Sequence, residues 1–188
     1  YIFHPMNSYE EEGRIVLDVA RYDHIWREST MDFPSPVLWR LTIDTASGTV
    51  HEQQIDDMPA EFPRVADLVV GQKHRYGYMV SLSNNDNPDD LVNASSSILK
   101  YDCNTGQKHE LDLGRGCVGG EPVFVQSENF RNEDDGYLMT YVFDAKANAS
   151  RFVIMDAATM DNTPVASIEL PRIPNGFHGS WIPTSVAG

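Results

Sequence analysis

Short hydrophobic runs rich in Val, Ile, Leu, Tyr and Phe, bounded by polar Asn and Asp and by Gly, recur along the whole 188-residue chain, whereas sustained helical periodicity is hard to find. The pattern predicts strands over residues 14–22, 37–44, 49–55, 74–82, 97–102, 107–113, 122–126, 137–144, 151–156 and 165–170. An all-β fold follows. Polar connections separate these strands, the longest over 83–96 and 127–135.

The strands are organised by a repeat. LWRLTIDTASGTVHEQQI and SSILKYDCNTGQKHELDL share one layout, a strand ending in Asp, a loop closed by Gly four residues later, and a second strand. The pairs are Asp44 with Gly48 and Asp102 with Gly106, and RFVIMDAATMDNTPVASIEL keeps the Asp at Asp156 while its loop is expected to be longer. Ahead of each hairpin lies another strand, and ahead of that a short motif with one conspicuous polar residue. The motifs are FHPMN, EFPRV, GEPVF and, after the third hairpin, GFHGSW. Their polar residues, His4, Glu61, Glu121 and His178, follow one another at intervals of 57, 60 and 57 residues. A four-stranded unit repeating at this interval predicts β-propeller blades, each burying both faces against its neighbours around an axis. Just over three units fit in the chain, about half of a closed ring, so the sequence reads as part of a longer propeller. The alternative is a meandering β-sandwich with accidental spacing.

Composition narrows the partners. A formal charge of −14, with no Lys/Arg cluster to offset it, disfavours nucleic acid. No apolar stretch reaches the length of a membrane span, so membrane association is expected only through regions outside this sequence. Cys103 and Cys117 lack metal-knuckle or disulfide spacing and read as reduced thiols, which points to the cytoplasm, although a targeting signal ahead of Tyr1 stays open.

In a propeller, residues at the same phase in successive blades converge near the axis. Two imidazoles and two carboxylates arriving there suit a metal site. Each imidazole can give a metal one nitrogen, while its opposite N–H needs an acceptor that fixes the tautomer and ring plane. On this reading His4 and His178 are ligands, and Glu61 and Glu121 accept from them. Structural carboxylates engaged in salt bridges are the plainer alternative for the two glutamates. His24, His51, His74 and His109 fall outside the phase and read as non-ligands. Glu10, Glu11 and Glu12 read as a solvated turn.

The assembled motifs resemble the carotenoid cleavage oxygenase family. FHPMNSYEEEGRIVLD is similar to its third-histidine motif, EFPRV with HRYGY to a glutamate segment, GEPVFV with EDDGYLMTYVFD to the next one, and LPRIPNGFHGSWIP to its terminal histidine motif. The resemblance covers almost the whole chain, in the family's order. Ser8 stands where Ala is usual and Ser180 where Thr is common, and neither removes a ligand.

The resemblance implies that residues 1–188 are the C-terminal portion of one seven-bladed propeller holding iron(II) on four histidines, three of them backed by glutamates. His4 and His178 match the third and fourth ligands, and Glu61 and Glu121 match two of the three glutamates. The remaining ligands are expected upstream of Tyr1. The implied activity is a dioxygenase that uses O2 to split a conjugated double bond of an apolar carotenoid, apocarotenoid or stilbene into carbonyl fragments. Phe3, Phe177 and Trp181 are candidates to line a substrate tunnel, with core packing as the alternative for each. Rival readings are a metal-free propeller acting as a binding platform and an isomerohydrolase-like member of the family that consumes no O2.

Overall fold

The computed structural model describes residues 1–27, 29, 34–82 and 90–184, so the first half of the connection 83–96 lies outside the described residues. Among the described residues thirteen strands form three antiparallel sheets. The first is β1 (Ile2–Glu11), β2 (Arg14–Arg21), β3 (Val37–Asp44) and β4 (Val50–Gln54), adjacent in that order. In the second, β5 (Ala60–Arg64), β6 (Tyr76–Ser81), β7 (Ser97–Asp102) and β8 (Gln107–Asp112) repeat the order. The third comprises β9 (Cys117–Gly119), β10 (Val123–Gln126), β11 (Gly136–Asp144), β12 (Ala149–Asp156) and β13 (Ala166–Leu170). One 3-10 turn, Asp67–Val69, follows β5. These are the blades that the repeat predicts, and the fold is that of a β-propeller without a closed ring.

The hairpin turns explain why the repeat shows in the sequence. In DTASG the Asp44 carboxylate accepts the N–H groups of Ala46 and Ser47, and the N–H of Gly48 returns to the Asp44 carbonyl. DCNTG repeats this with Asp102, Asn104, Thr105 and Gly106. Gly48 and Gly106 sit at φ of 72° and 73°, a region that a side chain penalises. The expectation of a different loop after Asp156 is corrected, because Ala158 and Thr159 donate to the Asp156 carboxylate in the same way. Met160 takes the glycine's place at φ 55°, with its side chain buried in the core. DAKAN is a fourth copy, Asp144 accepting from Lys146 and Ala147, with Asn148 at φ 49°.

In the second sheet every residue of β6 and β7 is buried, while the outer strand β8 is largely exposed. Alternation along the strands divides them between two cores. Met79, Leu99 and Tyr101 pack with Met6, Ala20 and Leu38 of the first sheet. Tyr78, Val80 and Ile98 pack with Phe124, Leu138 and Val142 of the third. The contact with the first sheet is close at Gly77, where an added Cβ would lie 2.2 Å from the Met6 sulfur.

The first strand of each sheet is irregular where the phased polar residue sits. β1 steps from Ile2 to Pro5 while β2 steps from Arg21 to Val19, so β1 carries an extra residue at His4. β5 carries one between Glu61 and Arg64, with Phe62 at φ 53° ahead of Pro63. In the third sheet β9 and β10 run along the same strand, β11, with one residue too many between Gly119 and Val123, at Glu121-Pro122. Proline has no N–H to give the ladder, so each inner strand bulges beside it and re-aims a neighbouring side chain. Of the motif stretches, FHPMN lies wholly within β1 and EFPRV lies within β5 as far as Arg64, and β9 is a strand beyond those the pattern predicts.

Candidate metal centre

His4 on β1, Glu61 on β5, Glu121 in the break between β9 and β10, and His178 in the extended segment after β13 meet at one place. His178 stands on no strand, because residues 171–183 form none. Pro171, Pro174 and Pro183 withhold the N–H groups that a ladder needs.

The ring centres of His4 and His178 are 4.8 Å apart, with their planes at 81°. His4 Nδ1 lies 2.8 Å from Glu61 Oε2, and His178 Nδ1 lies 3.1 Å from Glu121 Oε1. The glutamate side chains are each 5 % exposed, whereas His4 is 19 % and His178 49 % exposed. A carboxylate accepts, so the proton of each ring belongs on Nδ1 and the Nε2 lone pair is left free. No described residue hydrogen-bonds either Nε2.

Each carboxylate is completed by two more donors. Glu61 accepts the N–H of Phe62 at 2.5 Å on Oε2 and the hydroxyl of Tyr22 at 2.8 Å on Oε1. Glu121 accepts the N–H of Gly179 at 2.7 Å on Oε2 and the Arg64 guanidinium at 3.4 Å on Oε1. Burial, and then the neighbouring Glu61, push the Tyr22 phenol far above its ordinary range, so it stays a donor. Tyr22 and Arg64 were not anticipated, because nothing local in the sequence marks which residue will reach a carboxylate from another strand.

Aromatic rings surround the pair. Phe62 lies 5.4 Å from His4 and 5.8 Å from His178, and Phe177 lies 5.6 Å from His4, all between ring centres. Phe3 packs edge-on against Tyr1 and Tyr22. A cavity of about 550 Å³ opens beside His178, with Phe62, Met139, Phe152, Phe177 and Trp181 among its walls. Phe177 and Trp181 are exposed on it and Phe3 is not part of it, so none of the three packs in the core.

The donor set suits a first-row transition metal, for which imidazole nitrogen is a common ligand. Imidazoles in adjacent positions on one ion have ring centres roughly 4.5–5 Å apart, given a metal–nitrogen length of about 2.1 Å, and the observed separation agrees. Two nitrogens do not complete a coordination shell.

A second cluster, Asp18, His74 and Cys103, brings donor atoms within 4.8 Å of one another between the first two sheets. Arg40 holds both Asp18 oxygens, at 2.7 and 2.8 Å, placing a fixed positive charge beside them. Asn7 is pinned by the Gly71 N–H and the Val69 and Gln72 carbonyls, and it turns its amide group to His74 Nδ1. The cluster is a buried ion pair with a satisfied histidine. Cys103 and Cys117 are both free.

Comparison with known proteins bears on the family and the fold. The profile of the family described as retinal pigment epithelial membrane protein, RPE65, matches residues 1–183. The carotenoid cleavage oxygenase of Mycobacterium tuberculosis is 36 % identical over 98 % of the chain, and the apocarotenoid-15,15'-oxygenase of Synechocystis 33 % over 98 %. The chain spans 38 % and 39 % of those relatives, about two fifths of their length. The crystal structure of the cobalt-substituted Synechocystis oxygenase superposes with a TM-score of 0.86 at 31 % identity, over 97 % of this chain and 39 % of that one. Both the profile and the fold lead to one conclusion: the chain belongs to the RPE65/carotenoid cleavage oxygenase family.

Proposed function

We propose that this chain is the part of an iron(II)-dependent dioxygenase that carries two of its histidine ligands, His4 and His178, and that the whole protein cleaves a conjugated double bond of an apolar substrate with O2. The observation that carries the reading is the meeting of two imidazoles from opposite ends of the chain, each with Nδ1 on a buried glutamate and Nε2 free. Glu61 and Glu121 hold each ring in one tautomer and one plane. The remaining ligands come from outside this chain.

Iron(II), when bound, supplies the centre at which O2 reacts with the double bond, the C=C and O–O bonds breaking to leave two carbonyl groups. The residues of this chain prepare the surroundings. Neutral imidazoles add no negative charge, and the two carboxylates stand behind them. Phe62 and Phe177 put apolar rings beside the imidazole pair, and the cavity walled by Met139, Phe152 and Trp181 accepts a planar apolar chain rather than a polar one. A carotenoid, an apocarotenoid and a stilbene all meet that description, and the relatives named for carotenoid and apocarotenoid cleavage favour the first two.

Metal analysis and O2 uptake of the full-length protein, with an apocarotenal and a hydroxystilbene as substrates, test the reading. Stoichiometric iron, one O2 consumed per cleavage and two carbonyl products are expected, with loss of all three on His4→Ala. Folded, iron-free protein would return the chain to the binding-platform reading, and product formed without O2 uptake would make it an isomerohydrolase.

A further inference from the structure

The two glutamates sit in matching cradles, each made of an imidazole Nδ1, a backbone N–H and one side-chain donor. The side-chain donors differ. Glu61 has the neutral hydroxyl of Tyr22, and Glu121 has the guanidinium of Arg64. Arg64 is on β5, three residues after Glu61, so one strand supports both histidines, Glu61 directly behind His4 and Arg64 through Glu121 behind His178.

Arg64 does more than complete a carboxylate. The same Nη1 donates to the Gly179 carbonyl at 3.3 Å, while the Gly179 N–H donates to Glu121. Arg64, Glu121 and Gly179 therefore close a ring of hydrogen bonds around the residue that follows His178. Residues 174–183 have no sheet partner, and among the described residues the hydrogen bonds that hold this stretch are those of His178 and Gly179 to Glu121 and Arg64. His4 lies instead in a paired strand and needs no such clamp.

Resting on the metal reading above, we propose that Arg64 is a positioning residue that clamps the His178 segment onto Glu121, with Tyr22 holding Glu61 behind His4 as its simpler counterpart. Neither residue reaches the metal position; both act through a glutamate. A cationic donor also draws charge from Glu121 that Glu61 keeps for His4, so the two histidines are unequal ligands. Their Nδ1 to carboxylate distances, 3.1 Å for His178 and 2.8 Å for His4, run in that direction.

The test uses the full-length protein, with cobalt(II) as the probe metal. Affinity and visible spectrum are measured for wild type, Arg64→Met, Arg64→Lys and Tyr22→Phe, and hydrogen exchange at the Gly179 amide is followed without metal. Methionine keeps an apolar stem in place, and phenylalanine removes one hydroxyl, so both are mild replacements. Arg64→Met is expected to weaken cobalt binding roughly ten- to hundredfold, alter the spectrum and speed Gly179 exchange about tenfold or more, by the loss of a charge-assisted bond. Arg64→Lys should recover part of each, because a lysine keeps the positive charge and the N–H donors but on a shorter stem whose reach and geometry differ from the guanidinium's. Tyr22→Phe should weaken cobalt binding without changing Gly179 exchange. Wild-type affinity and spectrum in Arg64→Met would overturn the proposal. If the wild-type protein itself takes up no metal, the metal reading fails, and the clamp then stands or falls on whether Arg64→Met speeds Gly179 exchange.

Discussion

At the scale of residues, the centre depends on carboxylates that are fully subscribed. Three donors converge on Glu61 and three on Glu121. A glutamine there has one acceptor oxygen and presents an NH2 group to a donor, so Glu61→Gln should lower the stability of the metal-free protein by about 1–3 kcal/mol, read from urea unfolding. Two aspartates govern the response to acid. The Arg75 guanidinium and the turn N–H groups hold Asp102 well below the usual carboxylate range. Burial works to raise Asp18, but hydrogen bonds from Arg40 and His74 more than offset it, and its pKa is lowered too. Both folded values lie below the unfolded one near 3.9, so their stabilisation is complete above that pH and disappears as pH falls through the lowered folded values. The urea midpoint should therefore decline below about pH 4, less steeply in Asp102→Asn. His4, Glu61, Glu121 and His178 were legible in the sequence because their phase repeats. Tyr22, Phe62 and Arg64 were not, since each matters through a partner in three dimensions that no spacing announces.

At the scale of elements, local chemistry writes the hairpins and prolines interrupt the inner strands. Gly106 would place a Cβ in open space, so Gly106→Ala should cost only the left-handed backbone penalty, about 1–2 kcal/mol. Met160 occupies the same turn position, yet Met160→Gly should destabilise. Relief of about 1 kcal/mol of backbone strain is outweighed by loss of a buried methionine, for which truncation costs roughly 2–5 kcal/mol. Two urea unfolding curves decide both, and a stabilised Met160→Gly would contradict the ranking. These turns also show why element positions were readable. An Asp whose carboxylate binds the next N–H groups, followed by a residue that tolerates positive φ, is a signal confined to five residues. DAKAN and DAATM escaped it because Asn and Met stand where Gly was sought. β9 escaped because Cys117–Gly119 is short and sits beside glycines, with its pairing to β11 set from more than twenty residues away.

At the scale of the whole molecule, three sheets stacked face to face share two cores, and the two central strands of the middle sheet, β6 and β7, have no solvent face to relax into. Gly77→Ala is the sharpest probe of that stacking. Its Cβ would collide with the buried Met6 side chain, and overpacking of this kind costs about 1–3 kcal/mol. Pairing it with Met6→Val, which opens room, should restore part of the loss; a purely additive double mutant would mean that the two sheets do not meet there as described. The sequence by itself determined the strand class, the turns, the blade repeat and the four phased polar residues, because alternation, Asp-led turns and proline breaks are local and recur at each repeat. Only the tertiary structure decided that His178 comes from an unpaired segment, that Arg64 and Tyr22 complete the glutamates, and that Asp18, His74 and Cys103 form an ion-pair cluster rather than a second centre. Those outcomes depend on which side chains from distant strands arrive within about 3 Å of one another, and that is set by the twist and stacking of whole sheets, which no short stretch of residues encodes.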